Sequence, residues 1–207
     1  AVMQQVGFGI DTGLGFPGES SGVFPVYPRW RSVETAAMSY GYGFSVTTAQ
    51  LAHAYATLGN NGISVPLTLL RQDRAASQTP VLNPHTSQVV LEMLRSVVED
   101  EGGGGARARV PGYHVAGKSG TAKKTTGRGY TEDSYRSLFA GVGPVSEPRI
   151  ALAIVIDEPR EGGYFGGLVA APAFSRIMAG TLRLLNVRPD NLPESMAQNS
   201  TQQRGRS

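Results

Sequence analysis

Hydrophobic residues recur along the chain with two different spacings, and the change between them predicts how the chain is organised. The first part has helical periodicity, with one helix predicted from about Thr47 to about Leu58 and another beginning at Asn83 and Pro84. After the glycine run 102–105 the pattern changes to short alternating or continuous apolar segments, which are typical of strands. We therefore expect a helical first part followed by a sheet.

The strand-like part is predicted to contain three strands and a final helix. Its turn signals suit antiparallel neighbours, and the predicted strands are 113–125, 136–142 and 149–156, with a loop at 127–129. A helix from about Val169 to about Leu185 follows, with Pro172 confined to its first turn because proline lacks an N–H. Its apolar side is predicted to carry Phe174, Ile177, Met178, Leu182 and Leu185. The predicted fold class is α+β, with helices packed on an antiparallel sheet.

Helix-start signals in the sequence support the prediction of both earlier helices. Thr47 followed by Gln50 has the spacing of a capping box, and Asn83 before Pro84 is a typical N-cap with proline at the first helical position. The helix after Thr47 has little polar surface, so we expect it to be buried. His53 lies within it and is expected to be a hydrogen-bonded core histidine rather than a catalytic one.

Composition excludes several classes of protein. The 207 residues are 40% hydrophobic and 17% charged, which is typical of a globular domain. The absence of cysteine excludes disulfides, thiolate catalysis and cysteine metal sites, and no metal or cofactor is predicted. A net charge of +3 with scattered arginines does not indicate nucleic-acid binding. The polar segment 189–207 is expected to be a disordered tail after a folded part at 1–188.

One short motif spells a phosphate-binding loop. Gly112 and the triplet Gly117-Lys118-Ser119 match its glycine, lysine and serine spacing. Such a loop needs a buried strand before it and a helix after it. The preceding segment 106–111 alternates arginines and ends in proline, and the following segment 120–127 has two glycines, three threonines and no apolar period. A phosphate-loop nucleotidase is therefore kept only as an alternative.

The flanks favour a strand through the same residues. In a strand over 115–123, the side chains of Gly117, Ser119, Thr121 and Lys123 share one face, while Lys118 and Gly120 face the other. Two hydroxyls and an ammonium on such a face can hold a carboxylate. Gly120 lets a ligand backbone approach closely, and a backbone N–H at an unpaired edge can point at an oxyanion.

Five ordered motifs carry a resemblance to a known family. Lys118-Ser119-Gly120-Thr121-Ala122 resembles the lysine-serine/threonine-glycine motif of penicillin-binding proteins and serine β-lactamases. Together with four further segments it resembles class B penicillin-binding proteins, most of all the septal, division-specific transpeptidases (penicillin-binding protein 3 type) of Gram-negative bacteria. Those segments are 39–43, 115–117, 135–141 and 164–167.

The resemblance implies a C-terminal portion of a transpeptidase domain over 1–188. It implies a peptidoglycan D,D-transpeptidase that acts on D-Ala-D-Ala stem peptides through an acyl-serine and is acylated by β-lactams. It also implies a location on the periplasmic face of the inner membrane and divisome membrane proteins as partners. By position in the motifs, Lys118 and Thr121 are implied to be catalytic. Substrate contacts are implied for Ser119, Gly120, Thr121, Lys123, Tyr40, Tyr42, Tyr135, Tyr164 and Phe165.

The chain departs from the family pattern in one respect. The family's Ser-x-x-Lys nucleophile motif and its Ser-x-Asn motif are both absent from the sequence. The first residues read like the end of a helix, so we expect the chain to be a fragment that lacks the nucleophile and is inactive alone. A non-catalytic relative that acts as a binding module is a further alternative.

Overall fold

The structure is a computed structural model that describes residues 2–27, 29–74, 76–126 and 129–192, with the backbone alone at 125, 126 and 129–133. The chain divides into two compact units, 1–90 and 91–207. The helices are α1 (Val2–Gln5), α2 (Ser32–Ser39), α3 (Thr48–Gly59), α4 (Pro84–Glu99) and α5 (Gly166–Leu184). The strands are β1 (Ile63–Ser64), β2 (Thr79–Pro80), β3 (Ala116–Thr126), β4 (Gly129–Gly143) and β5 (Ile150–Asp157).

Helix α3 is the centre of the first unit, and its predicted start is confirmed. Thr47 accepts a hydrogen bond from the Gln50 N–H at 3.1 Å, while the Gln50 side chain accepts one from the Thr47 N–H at 2.9 Å. The prediction of a buried apolar helix was wrong, since the two fully buried residues are the polar Gln50 and Thr57. Gln50 is buried because its amide also donates to the carbonyls of Ile10 and Ser21 in the preceding loop.

Two further features of the first unit bear on the predictions. His53 is half-buried, and its Nε2 lies 2.9 Å from the Val65 carbonyl, as expected for a hydrogen-bonded structural histidine. Helix α2 was missed by the sequence prediction. Glu34 starts it, because its carboxylate accepts from the backbone N–H of Arg31 at 2.8 Å and pairs with that guanidinium.

The second unit is built on a three-stranded antiparallel sheet in the order β3-β4-β5, so the three predicted strands and their pairing are confirmed, although β4 begins at Gly129 and not at Arg136. Ala116 pairs with Val142 at one end of β3, and Lys123 pairs with Tyr135 towards the other. We call these the Ala116 end and the Lys123 end. Phe139 of β4 packs against Phe174 of α5 at 4.8 Å between ring centroids, which places the core between the sheet and this helix.

Helix α5 begins earlier than predicted. It starts at Gly166 rather than Val169, so Pro172 lies in the second turn and not in the first. The buried side was predicted correctly at Phe174, Met178 and Leu182, each 0% exposed. The prediction was wrong for Ile177 and Leu185, which are 48% and 53% exposed. An apolar residue on an exposed helix face is common and does not by itself mark a site.

The segment after α5 is attached at the Ala116 end. The Asp190 carboxylate accepts hydrogen bonds from the His114 N–H at 2.8 Å and from the Ser146 hydroxyl at 2.7 Å. The Tyr113 hydroxyl donates to the Val187 carbonyl, and the Asn191 N–H donates to the Gly112 carbonyl. Residues 189–192, predicted as the start of a tail, therefore pack on the second unit, while 193–207 lie outside the described residues.

Candidate active site

Strand β3 is an edge strand of the described sheet, and its backbone geometry defines the candidate site. Gly166 packs against the rung formed by Gly120 and Leu138, since a Cβ at Gly166 would lie 2.3 Å from both of their carbonyl oxygens. These carbonyls therefore point into the β3–β4 ladder. Backbone groups alternate along a strand, so those of Ser119 and Thr121 point to the unpaired edge.

Lys118 reaches this unpaired edge although its side chain starts on the opposite face. Its ammonium donates to the Ser119 carbonyl at 2.8 Å, and the residue is exposed. The predicted alternation of faces along β3 is confirmed, because Ser119 pairs with Phe139, which packs on α5, while the neighbouring Lys118 is exposed. The lysine carries its charge to the edge by folding back along the strand.

The two hydroxyls of the motif lie on the face that carries α5. Ser119 and Thr121 are both half-buried. Thr121 Oγ1 accepts a hydrogen bond from the Gly166 N–H at 3.0 Å, which links the strand to the first residue of α5. A hydroxyl that accepts through a lone pair still has its own hydrogen to donate. Thr121 can therefore hold the helix and also donate to a ligand.

Three aromatic rings form a continuous wall beside these hydroxyls. The rings of Tyr135 and Tyr164 are stacked, with centroids 4.1 Å apart and planes 14° apart. The Phe165 ring lies 4.4 Å from that of Tyr164. Tyr164 and Phe165 are 39% and 53% exposed, so each leaves much of its surface open to a ligand. The structure therefore brings these three predicted residues together.

A cavity of about 400 Å³ lies beside this wall. It is lined by Ser134 and Tyr135 of β4 and by residues that follow β5, namely Glu158, Pro159, Arg160, Gly163 and Tyr164. Cavities of this size are at the small end of ligand pockets in proteins. Since two different elements provide its sides, the position of the loop sets the width of the cavity.

Two lysines of β3 lie near the Lys123 end and make different contacts. The Lys123 ammonium lies 6.0 Å from the centroid of the Tyr135 ring, at the outer limit of a cation–π contact. Lys124 instead pairs with Glu158 at 2.6 Å and with Asp157 at 3.1 Å. Hydrogen bonds to Glu158 and Asp157 raise the pKa of Lys124, and the same contact lowers the pKa of Asp157. Of these two lysines, Lys123 is the one placed beside the aromatic wall.

Tyr40 and Tyr42 belong to the first unit. Their rings contact each other with centroids 5.6 Å apart, and the residues are 68% and 38% exposed. They follow α2 in a turn in which Gly41 and Gly43 have φ values of +93° and +81°. A positive φ is easily adopted by glycine, so this turn depends on both residues.

Ser137 was not predicted from the sequence as part of the site. It is 0% exposed, pairs with Thr121 across the ladder, and donates its hydroxyl to the Tyr164 carbonyl. The sequence contains no signal for this contact, because a serine inside a strand is equally compatible with solvent exposure. The contact arises only when the loop after β5 returns to the sheet.

The structure contradicts the phosphate-loop alternative. Residues 116–126, where such a loop and its helix would lie, form strand β3. Among the described residues, no group of three histidine, aspartate or glutamate side chains is placed to hold a metal ion. None of the helices in the described ranges is both long enough and apolar enough to cross a membrane.

Comparison with known proteins identifies the family. Residues 1–179 match the penicillin binding protein transpeptidase domain. The chain is 52% identical over 201 residues to a probable peptidoglycan D,D-transpeptidase, PbpC, of Pseudomonas aeruginosa, covering 97% of the chain and 35% of that protein. It is 44% identical over 186 residues to the peptidoglycan D,D-transpeptidase FtsI of Escherichia coli K12, covering 90% and 32%.

A solved structure shares the fold. The apo transpeptidase domain of Burkholderia pseudomallei penicillin-binding protein 3 superposes with a TM-score of 0.86 at 43% identity, covering 92% of this chain and 58% of that one. The chain spans about a third of the length of the curated relatives it matches. The resemblance noted in the sequence and the α+β fold expected from it are both confirmed. The chain belongs to the penicillin-binding protein transpeptidase family.

Proposed function

We propose that the protein containing this chain is a peptidoglycan D,D-transpeptidase of the septal type, acting on D-Ala-D-Ala stem peptides at the periplasmic face of the inner membrane. The observation that carries the proposal is the edge of β3, where an ammonium, two hydroxyls and an outward-pointing backbone N–H are collected beside an aromatic wall. The relatives named as peptidoglycan D,D-transpeptidases support the activity.

Each group on β3 has a part in the proposed reaction. A serine oxygen attacks the carbonyl of the penultimate D-Ala, and the Thr121 N–H donates to the oxyanion that forms. Loss of one such donor costs on the order of 3 kcal/mol of transition-state stabilisation. Lys118 supports proton transfer and supplies a positive field at the edge. The terminal D-Ala then leaves, and an amine of a neighbouring strand takes the acyl group from the serine.

The hydroxyls and the aromatic residues bind the substrate in this proposal. Ser119 and Thr121 donate to the terminal carboxylate, Gly120 allows close approach of the peptide, and Lys123 adds a second cation. Tyr135, Tyr164 and Phe165 line the pocket. β-Lactams carry a carboxylate and a strained acyl group in a similar arrangement, and the same groups would bind them.

The reacting serine is proposed to lie outside these 207 residues, because neither Ser-x-x-Lys nor Ser-x-Asn occurs in the sequence. Contacts with divisome membrane proteins are proposed on the same grounds as the septal role. The test is to incubate the full-length protein with a fluorescent penicillin and to separate it on a denaturing gel. A covalent label that unlabelled penicillin prevents is the expected result, and mass spectrometry should locate it on a serine.

A full-length protein that takes no label would contradict the proposal. Sedimentation with purified peptidoglycan would then distinguish the binding-module alternative, which predicts retention without acylation.

A further inference from the structure

We propose that Ser137 is a positioning residue that determines which acyl side chains the site accepts, by holding the Tyr164 wall against strand β4. The proposal rests on the function proposed above. Ser137 is completely buried and donates its hydroxyl to the carbonyl of Tyr164. It therefore contacts the backbone of the wall without being able to reach a ligand itself.

The segment that carries Tyr164 and Phe165 is attached to the sheet on both sides of Phe165. Ser137 holds the Tyr164 carbonyl, and Thr121 Oγ1 accepts from the Gly166 N–H at 3.0 Å. Ser137 and Thr121 are register partners, so both attachments lie on a single rung of the β3–β4 ladder. The three consecutive residues from Tyr164 to Gly166 are thereby fixed relative to β3, the strand that carries the proposed carboxylate site.

The position of this segment determines how the aromatic rings and the cavity beside them are arranged. The Tyr135–Tyr164 stack, at 4.1 Å between centroids, joins β4 to the loop. Tyr135 and Tyr164 both line the cavity of about 400 Å³. A shift of the loop would separate these rings and open the cavity, while the hydroxyls and the lysine of β3 would keep their places.

Removal of the Ser137 hydroxyl should have a local effect. The Tyr164 carbonyl would lose its donor and turn towards solvent, since this residue is already exposed. Helix α5 would stay in place, because Phe174, Met178 and Leu182 are fully buried and the Gly166–Thr121 hydrogen bond remains. Ligands that use the wall should therefore be affected, and ligands that use only the carboxylate site should not.

The test compares two β-lactams that differ only in the acyl side chain. Benzylpenicillin and 6-aminopenicillanic acid share the bicyclic nucleus and its carboxylate, but only benzylpenicillin has a phenylacetyl group. We expect Ser137→Ala in the full-length protein to lower the second-order rate constant of acylation by benzylpenicillin about five- to tenfold. This is the change in rate that corresponds to the loss of one hydrogen bond. The rate constant for 6-aminopenicillanic acid should stay within about twofold.

The matched control is Ser87→Ala. Ser87 is also a buried serine, on α4, and its hydroxyl has no hydrogen-bond partner among the described residues. This variant should leave both acylation rate constants unchanged. A loss in Ser137→Ala that is equal for both β-lactams would indicate a general structural role and overturn the proposal, as would no change for either.

A double-mutant cycle tests whether Ser137 acts through the wall. In the background of Tyr164→Ala, the further change Ser137→Ala should have a clearly smaller effect on benzylpenicillin than in the wild type, because only Phe165 remains to be positioned, whereas fully additive losses would overturn the proposal. If Ser137→Ala folds poorly, Ser137→Cys replaces it in the cycle, since it keeps the size and weakens the donor. A wild-type protein that neither β-lactam acylates would contradict the proposed transpeptidase function and is thereby distinguished from failure of the positioning role.

Discussion

Two segments pack onto opposite ends of the same sheet, and they are attached in different ways. At the Lys123 end, the aromatic segment around Tyr164 is attached by two hydrogen bonds between neutral groups, from the Ser137 hydroxyl and to the Thr121 hydroxyl. At the Ala116 end, the segment after α5 is attached by the Asp190 carboxylate, which accepts from His114 and from both donors of Ser146.

The difference indicates which segment is free to respond to a ligand. Hydrogen bonds to a carboxylate are roughly twice as strong as those between neutral groups. Asp190 makes three of them, so the segment after α5 should be a permanent part of the fold. The aromatic segment exposes two rings and has two weaker attachments, so it belongs at the low-stability end of the molecule, where binding segments are usually found.

The largest effect is expected from a substitution that removes a proposed catalytic group and leaves both attachments intact. Lys118→Ala in the full-length protein should lower the rate constant of penicillin acylation about 100-fold or more, because it removes the charge at the β3 edge. The melting temperature should hardly change, since Lys118 is exposed. The measurement is the rate of fluorescent penicillin labelling.

Lys124→Ala is the matched control for Lys118→Ala. Lys124 lies on the same strand, but its ammonium pairs with Asp157 and Glu158 rather than with the edge. Labelling of this variant should remain within about twofold of the wild type, as expected for loss of surface ion pairs. Equal labelling rates for wild type and Lys118→Ala would remove Lys118 from the proposed mechanism.

The next largest effect should come from breaking the attachment of α5 at the Lys123 end. A Cβ at Gly166 would lie 2.3 Å from the carbonyl oxygens of Gly120 and Leu138, and these backbone atoms cannot turn away. Gly166→Ala should therefore destabilise the domain by about 3 kcal/mol, a typical cost of overpacking, and also slow acylation. Melting temperature and labelling rate measure the two effects.

Gly180→Ala is the control on the same helix. Gly180 is exposed, and a Cβ there would meet no atom within 4 Å. Alanine is favoured over glycine inside a helix, so this variant should be more stable by about 0.5–1 kcal/mol. A Gly166→Ala protein that melts at the wild-type temperature would show that the helix start can move without cost.

Local signals made the main elements predictable. The alternation along β3, the Thr47–Gln50 capping box and the Asn83–Pro84 start each specify a structure within a few residues, and all three are present in the structure. The candidate site was found because its lysine, hydroxyls and aromatic rings lie in recognisable motifs.

Features that depend on distant partners were not predictable. Ser137 becomes part of the site through the carbonyl of Tyr164, 27 residues away. Gln50 is buried because carbonyls 40 and 29 residues away accept from its amide. The start of α5 at Gly166 depends on contact with the β3–β4 ladder, which no helix-start signal in the sequence indicates.

The attachment at the Ala116 end should affect stability but not acylation. Asp190→Ala leaves the His114 N–H and the Ser146 groups without their acceptor, so we expect a loss of about 2 kcal/mol in the free energy of unfolding. The penicillin labelling rate should stay within about twofold of the wild type. Asp73→Ala, at an exposed position in the first unit, is the control and should change neither quantity. A slower labelling rate in Asp190→Ala would show that the two ends are coupled.

The smallest expected effect is the pH dependence of the Ala116 end, where Glu99 contacts His114 and Arg95. Burial alone would raise the pKa of Glu99, but hydrogen bonds from Arg95 and His114 outweigh it, so the net effect is a lowered pKa. A carboxyl group with a lowered pKa in the folded state stabilises the fold above its unfolded pKa of about 4.3. That contribution is lost as the pH falls through the folded value.

We therefore expect the wild-type melting temperature to fall more steeply between about pH 5 and pH 3 than that of Glu99→Gln, by the equivalent of about 1 kcal/mol. The aromatic segment has no ionisable group in either attachment, so Ser137→Ala should keep the wild-type slope over the same range. Glu92→Gln, on the exposed side of α4, is the matched control and should also keep it. Identical slopes for wild type and Glu99→Gln would mean that the contacts of Glu99 with Arg95 and His114 do not stabilise the Ala116 end.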